Sequence, residues 1–233
     1  MADSDPAPDA PQDGAGHRAR LRQRLASGGC DALLDHELLE YLLALAIPRR
    51  DTKPLAYALL REFGGIGGVL TAEGDALARV PGMGETSVAA LKIAQAAAVR
   101  LARAGVEERP VLSNWQALLD YLRARLAHEA VEHVRVLHLN TRNMLIRDEL
   151  MGRGSIDQAA VYVREVIRRA IDLGSAAIIL VHNHPSGDPS PSRVDIDITR
   201  AIAAAGKPLG VVVHDHLIIG SNGHTSLRAQ GLL

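Results

Sequence analysis

From His17 to about Gly105, apolar positions recur every three or four residues, as in "LLDHELLEYLLALA" and "KPLAYALLREFG", with glycines and prolines interrupting them. That period is one face of a helix, so residues 17–105 are predicted to form a small all-helical unit. Ahead of it, residues 1–16 carry four aspartates and three prolines, with no basic residue and no large aliphatic one after Met1. Such a stretch buries too little apolar surface to offset its ordering entropy and is expected to be disordered. Residues 106–111 read as a linker, and Ser113 or Asn114 can cap a helix over "WQALLDYLRARLA". Beyond that helix the period changes. "HVRVLHLN", "NMLIRDELM", "AAIILV" and "LGVVVHDHLIIG" alternate or run apolar as strands do, whereas "QAAVYVREVIRRAIDLG" and "VDIDITRAIAAAG" keep the helical spacing. Strands alternating with helices predict a second domain, over residues 112–233, of mixed α/β type.

Composition narrows this picture. The 233 residues suffice for one large domain or two small ones. With 47% hydrophobic but only 3% aromatic residues, the cores must be built from Ala, Val, Leu and Ile. A single cysteine, Cys30, excludes an internal disulfide framework and a cysteine-rich zinc cage. No apolar run reaches the roughly 18 residues that span a bilayer, and no basic-then-apolar leader opens the chain, so a cytoplasmic protein without membrane contact is expected. A net charge of -1 argues against gripping nucleic acid by bulk electrostatics and leaves only a local basic face for that purpose.

The densest chemistry follows the strand "AAIILV". In "VHNHPSGDPSPSRVD", His182 and His184 are one residue apart, so in an extended chain both side chains project from the same face and can converge on one cation. Ser192 precedes a helical run, and Ser192 with Asp195 has the spacing of a capping pair. Asp197 falls about 200° further round the helix at ~100° per residue and should point elsewhere. Two imidazoles and one carboxylate with a fourth position left open is how a catalytic zinc is held. The plain alternative is a helix cap beside two strand-end histidines.

This stretch matches His-x-His-x(7)-Ser-x-x-Asp, the motif of the JAMM metalloproteases found in MPN (JAB) domains, and resembles the RadC-like proteins of that family (the UPF0758 type). The resemblance continues through "LHLNTRNMLIRDELMGRGSID", "VREVIRRAI", "AGKPLGVVVHDHLIIG" and "SLRAQGLL". It implies an MPN-type domain with a mixed central sheet and one zinc ion per chain. His182, His184 and Asp195 would be the ligands, Ser192 would bond the water or the oxyanion, and Glu149 would supply the upstream glutamate. The implied reaction is hydrolysis of a peptide or isopeptide bond in an unspecified protein substrate. Zinc would lower the pKa of its water, and the carboxylate would carry the proton to the leaving amine. The chain departs from the family pattern at Tyr162 and Val163, which replace a His-Pro pair and put a substrate or structural detail in doubt.

Several readings compete with this one. Asp188 lies in a Gly-Asp-Pro turn, where aspartate is common for local hydrogen bonding, and is the alternative ligand. His214 and His216 repeat the one-residue spacing but read as core-strand residues. "VPGMGETSVAALKIA" has the pattern of a helix-hairpin-helix, whose glycine turn can receive a phosphate at a helix start. Against that, Glu85 follows the turn directly and Lys92 is the only cation on the helix before Arg100. Residues 17–105 carry twelve Lys and Arg against nine Asp and Glu. The alternative function is therefore a DNA-repair-associated or DNA-binding scaffold whose metal site is not catalytic. An HNH nuclease needs its residues spread over a larger unit, and a zinc deaminase needs cysteines that this chain lacks.

Overall fold

A computed structural model describes residues 14–154 and 159–233; the expected disordered tail falls mostly outside them, although Gly14 already begins the first helix. The chain divides into two compact units, Met1–Ile93 and Ala94–Leu233.

The first unit contains α1 (Gly14–Gly28), α2 (Asp35–Ala46), α3 (Lys53–Phe63), α4 (Ile66–Thr71), α5 (Gly74–Ala78) and the start of α6 (Glu85–Glu107). Its helical periodicity is spent on one cluster, in which Leu39, Leu43, Leu55, Leu59, Val69, Leu77 and Leu91 are buried. Each such side chain removed from water is worth about 1.5–3 kcal/mol. Leu and Ala therefore suffice as a core without aromatics.

The second unit adds α7 (Trp115–Leu126), β1 (His133–Leu139), β2 (Leu145–Arg153), α8 (Ala159–Asp172), β3 (Ala177–Asn183), α9 (Arg193–Gly206), β4 (Val212–Gly220) and β5 (Gly223–Ser226). The break between units falls inside α6 rather than at Gly105, because Val106 and Val111 are buried in the second unit's core. Residues 106–111 are thus packed chain, not a free tether. The five strands form one sheet in the order β2-β1-β3-β4-β5. β3 and β4 are parallel and α9 joins them, as a parallel connection requires; the other neighbours are antiparallel.

The sheet is covered on both faces. Leu137, Leu139, Ile179, Val181, Leu217 and Ile219 pack under α7, whose Leu118, Tyr121, Leu122 and Leu126 are buried with them. Val136, Ile178, Leu180 and Val213 face α8 and α9, meeting Val166, Ile167, Ala170 and Ile202. Alternation along β3 assigns Ile178 and Leu180 to the α9 side, and the next residue in that series is His182. On α9 the buried residues are Asp195, Thr199, Ile202 and Gly206, one stripe at helical spacing. The stripe that seats the helix on the sheet therefore also delivers Asp195 and Thr199 to the end of β3.

Candidate metal centre

His182 closes β3, where it pairs with Val134 of β1 on one side and Ile218 of β4 on the other. His184 lies just past the strand, its backbone N–H held by Ile219 carbonyl at 2.9 Å. The two Nε2 atoms approach to 2.9 Å. Asp195 brings Oδ1 to 3.4 Å from His182 Nε2 and Oδ2 to 3.8 Å from His184 Nε2. A fourth group enters from the residue before β1: Glu132 Oε1 lies 3.9 Å from His182 Nε2. Glu132, His182 and His184 form a group able to hold a metal ion, with one ligand atom from each within 4.8 Å of the others. His182 and Asp195 are each 1% exposed at the side chain, and His184 and Glu132 each 19%. The pocket is therefore dry at its floor and open at its mouth.

Backbone and cap hold these groups. Ser192 is the N-cap of α9: its Oγ accepts from Asp195 N–H at 3.2 Å, and Asp195 Oδ2 accepts from Ser192 N–H at 2.7 Å. The expected capping pair is thus formed, and its Asp195 is also the carboxylate that faces His182 and His184. Asp197 is exposed on the outer side of the helix. His184 Nδ1 donates to the carbonyl of Asp188 at 2.8 Å, which leaves its Nε2 as a lone pair facing the pocket. The Asp188 carboxylate is turned away, accepting from Ser190 N–H and Oγ–H at 3.0 and 2.7 Å. The loop is pinned against the end of β4, where Gly187 carbonyl accepts from Asn222 N–H at 3.2 Å. A Cβ on Gly220 would lie 2.2 Å from Gly187 O, and Gly187 itself has φ +85°.

The donor set fits a metal. Among the described residues, Asp195 Oδ1 and Glu132 Oε1 are buried without a hydrogen-bond partner, and the only ion-pair partners of both carboxylates are histidines. Unpaired buried carboxylate oxygens are costly unless a cation completes them. Two imidazoles with two carboxylates suit zinc and its neighbours among the first-row metals. Burial holds His182 near a pKa of about 4, although the Asp195 charge opposes this, so its ring is neutral and available as a ligand. Burial raises the Glu132 carboxyl above its ordinary range; His184 opposes this and the Asp195 charge adds to it.

Glu149 does not join this group, which corrects the expectation that it supplies the upstream glutamate. It faces the correct side of the sheet, paired with Val136, but sits on β2, so β1 separates it from β3. Two strand spacings place it roughly 10 Å across the sheet. Its oxygens accept from Arg169 Nε and Nη2 at 2.8–3.1 Å, and that ion pair holds its pKa below the usual range. Sequence alone offers Asp148 or Glu149; only the strand order shows that a carboxylate before β1 is nearer. Asp148 lies on the opposite face, taking Tyr121 Oη–H and Arg135 Nε–H.

His216 was also underestimated. A register irregularity in β4 between the partners of Ile178 and Ile179 puts His214 and His216 in different surroundings. His214 Nε2 meets Asn143 Oδ1 at 2.8 Å. His216 Nε2 lies 2.8 Å from His182 Nδ1, and its own Nδ1 contacts Thr199 Oγ1. Burial drives the His216 pKa well below its ordinary value, so this ring is neutral. Of the two departures from the family wording, Val163 packs in the cluster under α8 and α9, and the side chain of Tyr162 lies outside the described residues.

In the helical unit the glycine turn is largely satisfied from within. Ser87 Oγ accepts from Gly84 N–H at 2.8 Å, and Val80 carbonyl accepts from Met83 N–H at 3.0 Å. Lys92 Nζ is directed at the Leu70 and Thr71 carbonyls, 3.4 and 3.5 Å away. No described helix is long and apolar enough to cross a membrane.

Comparison with known proteins bears on the unit that holds this centre. A family model described as "RadC-like JAB domain" matches residues 112–232. A UPF0758 protein of Rhodobacter capsulatus is 54% identical over 213 residues, covering 91% of this chain and all of the relative. Another, from Ruegeria pomeroyi, is 52% identical over 217 residues, covering 93% and 97%.

Proposed function

The chain belongs to the RadC-like JAB domain family, and on that premise we propose that it is a zinc-dependent hydrolase of peptide or isopeptide bonds. His182, His184 and Asp195 hold the ion, and Glu132, rather than Glu149, is the general base. The observation that carries this reading is the convergence of two imidazoles with the carboxylates of Glu132 and Asp195, one oxygen of each carboxylate being buried without a hydrogen-bond partner. When bound, the metal supplies a water acidified towards neutrality and polarises the scissile carbonyl.

The chain's own residues do the rest. Glu132, with its affinity for a proton raised by burial, takes the water's proton at Oε1 and returns it to the leaving amine. Asp195 is held at the floor by the bond its Oδ2 accepts from Ser192 N–H. The exposed Ser192 hydroxyl accepts its capping bond through an oxygen lone pair and so keeps its hydrogen to donate to the substrate carbonyl. The substrate is a protein or peptide that can lay an extended segment over the half-open mouth formed by His184 and Glu132. A DNA-binding scaffold draws no comparable support, since Lys92 and the glycine turn are engaged within their own unit.

The test is metal content by elemental analysis of protein purified without chelator, followed by hydrolysis of peptide and isopeptide substrates. Glu132→Gln is expected to keep its metal and lose about 10²–10⁴-fold in turnover. Full turnover in that variant, or no metal after zinc reconstitution of the parent, would remove the proposal.

A further inference from the structure

Thr199 lies one helical turn beyond Asp195 and donates its only hydroxyl hydrogen to the Asp195 carbonyl. At its contact with His216 Nδ1, the Thr199 oxygen can therefore only accept, and His216 must carry its proton on Nδ1. The remaining nitrogen of His216, Nε2, is then a bare acceptor. His182 Nδ1, 2.8 Å away, must be the donor to it. A neutral imidazole has one proton, so His182 Nε2 is left as a lone pair aimed at His184, Asp195 and Glu132. The hollow beside these rings, about 30 Å³, is otherwise walled by Val134, Val166, Leu180, Ile198 and Ile202. Besides the imidazoles of His182 and His216, Asp195 is the one polar residue lining it, and its carboxylate is the group already facing His182 Nε2.

We propose that Thr199 and His216 are positioning residues that fix the tautomer of His182, so that its Nε2 is permanently presented to a metal ion. His184 obtains the same result more simply, because the carbonyl of Asp188 can only accept. His182 is buried on a strand, and among the described residues its Nδ1 meets an imidazole and no carbonyl, so the instruction is relayed through that second imidazole from a helix hydroxyl. The relay starts on the residue whose carboxylate also enters the site: the Asp195 carbonyl orients Thr199, and the Asp195 carboxylate faces His182. α9 therefore sets both the charge and the proton position of the centre. This inference rests on the metal-centre reading above, since an inward lone pair is useful only to a cation.

The experiment uses the full chain, with ¹⁵N-labelled histidine, in two measurements. Long-range ¹⁵N–¹H correlation spectra of the metal-free protein at mildly alkaline pH report which ring nitrogen of His182 carries hydrogen. Competition against a chromophoric chelator then gives the zinc affinity. The wild type should show His182 protonated on Nδ1. Thr199→Val, which keeps the shape and removes the hydroxyl, should show both tautomers and bind zinc about 10–100-fold more weakly. Thr199→Ser should restore both readings, which a merely structural role for the methyl group would not allow. If His182 carries its proton on Nε2 in the wild type, or if Thr199→Val changes neither reading, the relay is wrong. A correct tautomer in a protein that never takes up zinc would support the relay and overturn the hydrolase proposal, so the two can fail separately.

Discussion

The α9-facing side of the sheet carries two buried histidine–carboxylate clusters, at opposite ends of the same antiparallel strand pair. At one end, His138 bonds Ser175 Oγ at 3.0 Å and lies 3.6 Å from Glu149, whose charge is met by Arg169. At the other, His182 and His184 face Asp195 and Glu132, and no described Lys or Arg forms an ion pair with either carboxylate. The residue types are the same; the resident cation is the difference. Where arginine already supplies the positive charge, the carboxylate is neutralised from within, although His138 Nε2 stays buried without a hydrogen-bond partner. Where it is missing, the carboxylates have only histidines as ion-pair partners among the described residues, as a group able to hold a cation would. Presence of His and Glu is therefore a poor guide to a metal site, and the charge balance of the cluster is a good one.

The largest effect should come from removing a floor ligand. Asp195→Ala is expected to weaken zinc binding by more than about 100-fold, beyond what loss of an outer partner produces; elemental analysis after dialysis would show it, and retained zinc would break the contrast. Next comes acid sensitivity at the closed cluster. Burial, opposed by Glu149, lowers the His138 pKa from 6.5 to about 4, so between these values the unfolded chain binds a proton that the folded chain refuses. Stability from this group is intact above pH 6.5 and falls as the pH drops towards 4, by at most about 1.4 kcal/mol per pH unit. Denaturant titrations across that window should give a shallower slope for His138→Gln than for the parent.

Glu149→Gln removes one of the two carboxylates paired with Arg169, Asp172 remaining 3.5 Å away, and should lower stability only slightly in denaturant titration, with zinc content unchanged. Loss of zinc in this variant would return Glu149 to the metal. The smallest effect is expected for Asp188→Ala, which removes a carboxylate bonded to Ser190 but keeps the carbonyl that orients His184. Zinc affinity should stay within a factor of about two, the range of an outer contact left intact.

Much of this was legible in the residues themselves. Helical and strand periods identified the elements, and the one-residue histidine spacing with the Ser192–Asp195 cap brought three candidate ligands to one corner. Glu132 was not legible, because its claim depends on β1 lying beside β3, and strand order is a long-range property. The family resemblance picks Glu149 over its neighbour Asp148, and Glu149 does face the α9 side, but a whole strand separates it from His182. His216 was hidden by a backbone irregularity: regular alternation would give it the surroundings of His214, and only the shifted register turns it towards His182. The unit boundary was obscured for a related reason, since a continuous helical period cannot reveal where one helix changes the core it serves.

Gly220 and Gly187 hold the loop of His184 so closely to the end of β4 that a Cβ on Gly220 would meet backbone atoms of Gly187 at 2.2 and 2.7 Å. Because the obstacle is main chain and not a side chain, no single second substitution can make room for it. At Gly187 the bar is conformational, because φ of +85° strains any other residue, so the loop that carries His184 can change at neither glycine without moving its backbone.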